Sequence, residues 1–581
     1  MTQRLSFLRT GLLFFMVCLL VTAPCQARPR PGTEKWCAQQ IFSRSDERIE
    51  EALQKMTLSE KVGQMQIAQL EPHPSCPQEK EYQLLSRLVQ EGKVGGVMFL
   101  KGDALSAGML VNQLQSLAPH PLLMSADMER GVAMRLSGAT EFPPNMAVAA
   151  TRDAQLAEEM AEAIAEEARV IGLHQNYAPT VDLNSNPLNP VINTRSFGDS
   201  VPLTISMSNA IIKGLQSNGI IATAKHFPGH GNVTVDSHLA LPVLEADRHQ
   251  LEQYELKPFK AAIDTGVISV MIGHLAVPKL TGAMEPASIS KTIVTDLLRK
   301  ELGFQGLIIT DALNMKALYN GQNVAEISVK AVQAGNDLLL FSPDPELTHS
   351  AIVAAVEKNS ISVEQINNSV RRILQVKAWL GIEKRRVADI DELRDNASPH
   401  SHRRLAQKIA SRAITVISDT NHVLPLKPSE GMLNIVLQDK INNETGAGYI
   451  KRLDQCYSMT HIRINPGTDL AGYASAADLA AKAEAVIISS YSQGFSGSGT
   501  LKLTSQQQEF IHSLGRIVPK EKPLILVSLG TPYIVTYFPE ITTTLCTYSY
   551  AEASEEMAVE LLRGAIKAHG VLPVSLQGNP R

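Results

Sequence analysis

Short apolar runs recur along the first two thirds of the chain, each followed by sequence with helical spacing. Eight stand out: Val62 to Leu70, Gly95 to Leu100, Pro121 to Asp127, Leu173 to Ala178, Gly219 to His226, Val267 to His274, Gly306 to Asp311, and Asn336 to Phe341. Each is nearly all apolar, as a strand buried on both faces must be. Amphipathic segments such as Asp153 to Ile171 and Leu203 to Ser217 lie between them. Eight strand–helix units in about 340 residues predict a (β/α)8 TIM-like barrel, placed over residues 43–385. An open doubly wound sheet is the alternative, but the Gly-rich turn of a dinucleotide site is missing. Thr57-Leu58-Ser59-Glu60 has the spacing of a capping box and starts an early helix.

The pattern changes near residue 386. Residues 386–402 are charged, lack an apolar period and read as a linker. A smaller α/β sandwich domain is expected over 403–581, with strands at 413–418, 434–438, 485–490, 523–530 and 544–550. Ser496-Gly497-Ser498-Gly499 lies within it, and without a GxxxxGK[ST] pattern it reads as a loop and not a phosphate cradle. At the other end, Arg4 and Arg9 precede the apolar run Gly11 to Val21 and a small-residue region ending at Ala27. That is a secretory signal pattern over 1–27, with 28–42 as a linker. The run is short of the ~20 residues a spanning helix needs. No transmembrane segment is expected after signal removal, so the protein is expected in the periplasm or outside the cell. Cys25 is a candidate lipid anchor that Pro24 disfavours.

The length, 581 residues, argues for two domains, and 44% hydrophobic residues leave ample core. A net charge of −4 gives no reason to expect a nucleic-acid partner. Beyond the signal, Cys37, Cys76, Cys456 and Cys546 are far apart without a CxxC, so no zinc site is expected. A Cys37–Cys76 disulfide is left open. No cofactor is expected, and the chain is expected to be a monomer.

Chemistry concentrates where the apolar runs end. Asp127 ends the third, Lys225-His226 the fifth, His274 the sixth and Asp311 the seventh, while Asp182 and Arg195 follow the fourth. Polar residues begin loops in any fold, but a carboxylate or base at most strand ends exceeds that. The C-terminal face of a barrel is where such groups act. The densest stretch is Lys225-His226-Phe227-Pro228-Gly229-His230-Gly231 with Asp236-Ser237-His238. Asp236 and His238 are two apart, so an extended chain lets the carboxylate orient the imidazole and favour its cation. That pair suits a general acid/base near neutral pH. Lys225 and His226 are neighbours, which point opposite ways in a regular strand. If both serve one site, a bulge or a non-proline cis bond is predicted beside them. Phe227 reads as core.

That motif resembles the signature of glycoside hydrolase family 3, in its β-N-acetylglucosaminidase branch. Met56 to Met65, Pro121 to Leu136, Asn193 to Gly198 and Ile308 to Met315 are also similar to the family. So, more loosely, is Tyr548-Ser549-Tyr550 to Leu572-Pro573-Val574-Ser575. Arg130-Gly131 stands where the family usually has Gly-Gly. The resemblance implies a retaining hydrolase with Asp311 as nucleophile, His238 as acid and then base, and Asp236 holding His238. It assigns sugar binding to Asp127, Arg135, Arg195, Lys225 and His226. The implied substrate is a terminal N-acetylglucosamine on peptidoglycan fragments or chitin oligomers. Competing readings are a phosphorylase or β-glucosidase of the same family, a silent sugar-binding protein, and a metal-dependent hydrolase using His226, His230, His238 and Asp311.

Overall fold

The computed structural model describes residues 37–43, 46–319, 323–384, 387–492 and 503–576. The expected signal segment, Cys25 and the Ser496–Gly499 loop lie outside them. Eight parallel strands form the first sheet: β1 (Gln66–Leu70), β2 (Gly96–Phe99), β3 (Leu123–Ala126), β4 (Gln175–Asn176), β5 (Ile221–Phe227), β6 (Ser269–Ile272), β7 (Leu307–Thr310) and β8 (Leu339–Leu340). Their order is β8-β1-β2-β3-β4-β5-β6-β7, and a parallel bridge from Ile309 to Leu338 joins the two ends. This is a closed (β/α)8 barrel.

The strands are shorter than the apolar runs that announced them, for local reasons. Thr57 and Glu60 do form a capping box: Thr57 N–H donates to Glu60 Oε2 at 2.8 Å, and Glu60 N–H donates to Thr57 Oγ1 at 3.2 Å. The helix they start, Leu58–Gln64, takes the first third of the Val62–Leu70 run. Helix Ala154–Ile171 starts at the Asp153 cap and ends at Gly172, whose φ of 89° suits glycine. The barrel interior is filled, not hollow. Ile67, Met98, Leu123, Ile221, Met271 and Ile309 pack together there. Polar side chains bond to one another there, Tyr177 Oη donating to Ser125 Oγ at 2.8 Å and Gln175 Nε2 to Thr223 Oγ1 at 3.1 Å.

Both segments expected to be plain linkers carry structure. Helix Ala38–Phe42 seats Ile41 in the barrel core, with Ala38 N–H donating to the Gly266 carbonyl at 3.0 Å. Helix Ile390–Asn396 buries Leu393 against Gly108, which has no side chain to obstruct it. Ile390 and Leu393 are the only apolar residues among its seven, too few to show a period, so spacing alone does not reveal such a docked turn.

Helix His400–Ala413 opens the second domain, a six-stranded sheet with helices around it. The strands are β9 (Thr415–Asp419), β10 (Met432–Gln438), β11 (Met459–Ile464), β12 (Val486–Tyr491), β13 (Leu524–Ser528) and β14 (Thr543–Cys546). The order is β9-β14-β13-β12-β10-β11, parallel except where β9 pairs with β14. Strand β11 was not expected, because it lies at the edge and carries Thr460, His461 and Arg463 in place of an apolar run. The four cysteines Cys37, Cys76, Cys456 and Cys546 are free thiols, so Cys37 and Cys76 are not joined. Among the described residues no helix is long and apolar enough to cross a membrane.

Candidate active site

Because all eight strands point the same way, their C-terminal ends share one mouth, and a cavity of about 460 Å³ opens there. Asp127, Arg135, Arg195, Lys225, His226, His238 and Asp311 all line it. Asp236 does not. It is buried behind His238, with its Oδ1 2.9 Å from His238 Nδ1 and accepting the His238 backbone N–H at 2.9 Å. A carboxylate thus fixes the imidazole at Nδ1 and leaves Nε2 for chemistry. The His238 side chain is 39% exposed.

One wall of the cavity is a dense ion-pair network. Lys225 Nζ lies 2.8 Å from Asp127 Oδ1 and 2.8 Å from Glu129 Oε1. Arg135 Nη2 donates to Asp127 Oδ2 at 2.6 Å. Arg195 grips Glu129 with two bonds, Nη2 to Oε1 at 2.7 Å and Nε to Oε2 at 3.0 Å. Burial pushes the Asp127 carboxyl up, but Lys225 and Arg135 outweigh it and hold the pKa at about 2. Burial acts the same way on Glu129, and Arg195 and Lys225 hold it well below the usual range. In turn Asp127 and Glu129 keep the buried Lys225 ammonium charged against burial. Asp127, Glu129 and Lys225 are therefore ionised at neutral pH.

Lys225 and His226 both reach the cavity, and the peptide bond between them is cis, with the register to β6 shifting between Ala224 and Phe227. Phe227 points into the core, edge-on to Phe259 with centroids 5.2 Å apart. His226 is held by Asp182: Nδ1 lies 2.7 Å from Asp182 Oδ2, and the backbone N–H of His226 donates to the same carboxylate at 3.1 Å. Asp182 also accepts the His230 N–H at 2.7 Å, so one buried carboxylate organises the whole turn after β5.

Asp311 follows β7 directly. Its Oδ1 accepts the Ala312 N–H at 2.8 Å. Burial pushes its carboxyl up, but the imidazoles of His226, His274 and His238 pull it further down, and the carboxylate stays ionised. His274 supports from below: Nδ1 meets Ser288 Oγ at 2.8 Å and Nε2 meets the Ala312 carbonyl at 3.0 Å.

Glu129 was not singled out from the sequence. It sits two residues past Asp127, the place from which a second carboxylate reaches the same lysine. The four residues a metal-dependent reading would use do not converge on one ion. Among the described residues the one group with such donors close together is His73, Cys76 and Glu79, elsewhere on the loop after β1. Among the described residues, those that line the cavity all come from the barrel domain. The second domain braces the loop that carries Arg195: Tyr533 Oη accepts from Asn184 Nδ2 at 2.8 Å, and Asp199 Oδ2 accepts the Ser575 N–H at 2.8 Å.

A closed barrel with an ionised carboxylate and a carboxylate-backed imidazole at its mouth is the arrangement of a glycoside hydrolase. Residues 57–376 match the model of the glycosyl hydrolase family 3 N-terminal domain, and the chain belongs to that family. It is similar to β-hexosaminidase A of Pseudoalteromonas piscicida, 29% identical over 551 residues, covering 85% of this chain and 91% of that one. It is also similar to a β-N-acetylglucosaminidase/β-glucosidase of Cellulomonas fimi, 28% identical over 555 residues, with 92% and 97% covered. Among solved structures, a family 3 β-N-acetylglucosaminidase from Paenibacillus sp. str. FPU-7 superposes with a TM-score of 0.77 at 29% identity, covering 90% of this chain and 99% of that one.

Proposed function

We propose that the protein is a retaining exo-β-N-acetylglucosaminidase that removes terminal N-acetylglucosamine through a covalent glycosyl-Asp311 intermediate. The observation that carries this is the meeting of Asp311 and the Asp236-backed His238 in one sugar-sized cavity. The names of its relatives point to the same substrate class. Asp127, Arg135, Arg195, Lys225 and His226 hold the sugar. Asp127 accepts from sugar hydroxyls, and the cations donate to hydroxyls or to the N-acetyl carbonyl.

In the first step the Asp311 carboxylate attacks the anomeric carbon. The bond to the aglycone oxygen breaks, and that oxygen takes the His238 proton. In the second step neutral His238 takes a proton from water. The water oxygen bonds to the anomeric carbon, and the ester to Asp311 breaks. Imidazole suits this double duty because its ordinary pKa, about 6.5, lets it give and take a proton near neutrality. Asp236 holds the ring in place through Nδ1.

The aglycone is assigned to peptidoglycan fragments, on the strength of the N-terminal export pattern, with chitin oligomers as the competing source. A panel of aryl β-glycosides tests the substrate class. The N-acetylglucosaminide must turn over faster than the glucoside, and equal or reversed rates overturn the assignment. A 2-fluoro-sugar trap followed by peptide mass spectrometry must label Asp311. Turnover that depends on added phosphate would reassign the reaction to phosphorolysis.

A further inference from the structure

The loop after β1 carries His73, Cys76 and Glu79, a nitrogen, a sulfur and an oxygen donor at intervals of three. The backbone explains why they meet. Cys76 N–H donates to the His73 carbonyl and Glu79 N–H to the Cys76 carbonyl, each at 3.0 Å, with the 3-10 helix Cys76–Gln78 between them. At three residues per turn, positions three apart stand one above the other. The ligand atoms of all three lie within 4.8 Å of one another. His73 Nε2 is 3.3 Å from Glu79 Oε1, and its Nδ1 is held 3.1 Å from Ser75 Oγ.

Those distances suit an ion. Two donors ~2.0–2.1 Å from a tetrahedral zinc stand roughly 3.3 Å apart, the spacing that His73 and Glu79 already have. A metal-binding histidine has its other ring nitrogen fixed by a hydrogen bond, the part Ser75 plays here. Cys76 is buried, but Ser75, Gln78 and Glu79 beside it are exposed, so the sulfur lies just under the surface of the loop. The His73 and Glu79 side chains are 34% and 46% exposed, and an ion enters by parting their contact. A plain surface pair of His73 and Glu79 is the competing reading, but it gives the sulfur no role.

We propose that His73 Nε2, Cys76 Sγ and a Glu79 carboxylate oxygen form a zinc site, with water in the fourth position, that pins the loop after β1. Binding replaces the thiol proton, which leaves to solvent, with a sulfur–zinc bond. The pinned loop bears on the cavity wall: the Pro72 carbonyl accepts the Asp103 N–H at 3.2 Å, and the Gly102 N–H donates to the Arg135 carbonyl at 3.0 Å. The lack of a CxxC does not exclude such a site, because only one of its ligands is a cysteine.

Cobalt titration of the full chain after EDTA treatment tests the site. One Co²⁺ per chain is expected, with a thiolate-to-cobalt charge-transfer band in the near ultraviolet that bleaches when Zn²⁺ displaces the cobalt. Cys76→Ser should lose the band. His73→Ala and Glu79→Gln should weaken Co²⁺ binding by at least about tenfold, since even loss of a ligand's supporting partner costs that much. These two change partly exposed side chains, so they decide the matter even if Cys76→Ser fails to fold. Zn²⁺ should raise the melting temperature of the wild type and not of the variants, and Mg²⁺, which prefers oxygen donors, should raise neither. No band in the wild type, a band that survives Cys76→Ser, or unchanged affinity in His73→Ala or Glu79→Gln overturns the proposal and leaves His73 and Glu79 as a surface pair.

Discussion

The two halves of the cavity are built to opposite standards. On one side Asp127, Glu129, Arg135, Arg195 and Lys225 form a network in which each carboxylate is gripped from both of its oxygens. On the other side the Asp311 carboxylate accepts a hydrogen bond from its neighbour's N–H, and the His238 side chain is 39% exposed on a loop. The first half is ordered by buried charges that cannot move without leaving a partner unpaired, a costly state. The second is sparse, as the proposed mechanism asks of a carboxylate that bonds to carbon and an imidazole that passes a proton. Under that proposal, rigidity serves recognition of the sugar, and open valence serves the reaction.

The largest expected effect falls on the sparse side. Asp311→Ala should lower kcat by at least about 10⁴-fold while the sugar still binds, measured by aryl glycoside turnover alongside calorimetric binding of the product sugar. Loss of binding as well would erase the division between the halves. His238→Ala should slow a poor leaving group by about 10²–10⁴-fold and a dinitrophenyl substrate far less. Equal losses on both would show that His238 holds sugar and does not move protons.

On the dense side the effect should appear in stability first. Glu129→Ala leaves Arg195 and Lys225 buried with fewer counter-charges and should cost about 3–5 kcal/mol of folding stability, read by urea denaturation. A change below about 1 kcal/mol would mean that water replaces the carboxylate and that this wall is not rigid. The smallest effect is in acid. The folded pKa of Asp127, about 2, lies below its ordinary 3.8, so its contribution is present above 3.8 and is lost as pH falls towards 2. The melting temperature of the wild type should drop through that window, and Asp127→Asn should drop less steeply. Parallel curves would place the acid sensitivity elsewhere.

The division also governs how much of the site was legible from the chain. Asp311, Lys225, His226 and Asp127 were readable because each stands where an apolar run stops, and a barrel delivers such ends to one face. Asp236 and His238 were readable because they are two residues apart. His274 was readable as a strand-end base, but its role is to hold the backbone beside Asp311. Glu129 was not read at all, and Asp182 was read only as a group following the fourth run, without its grip on His226. Their partners lie 66 and 44 residues away, Arg195 and His226. The linker helix Ile390–Asn396 and edge strand β11 escaped for a related reason, since each is stabilised by a neighbour and not by its own period.

The chain by itself determined the alternation of buried strand and amphipathic helix, the identity of the groups at the strand ends and the local Asp-x-His pair. These follow from spacing along a few residues, where backbone geometry is fixed. Only the tertiary structure decided which carboxylate grips which cation, that Asp182 anchors the turn after β5, and that the second domain braces the Arg195 loop. Those contacts are set by barrel closure and domain docking, which bring together side chains whose separation in sequence carries no information about their distance in space.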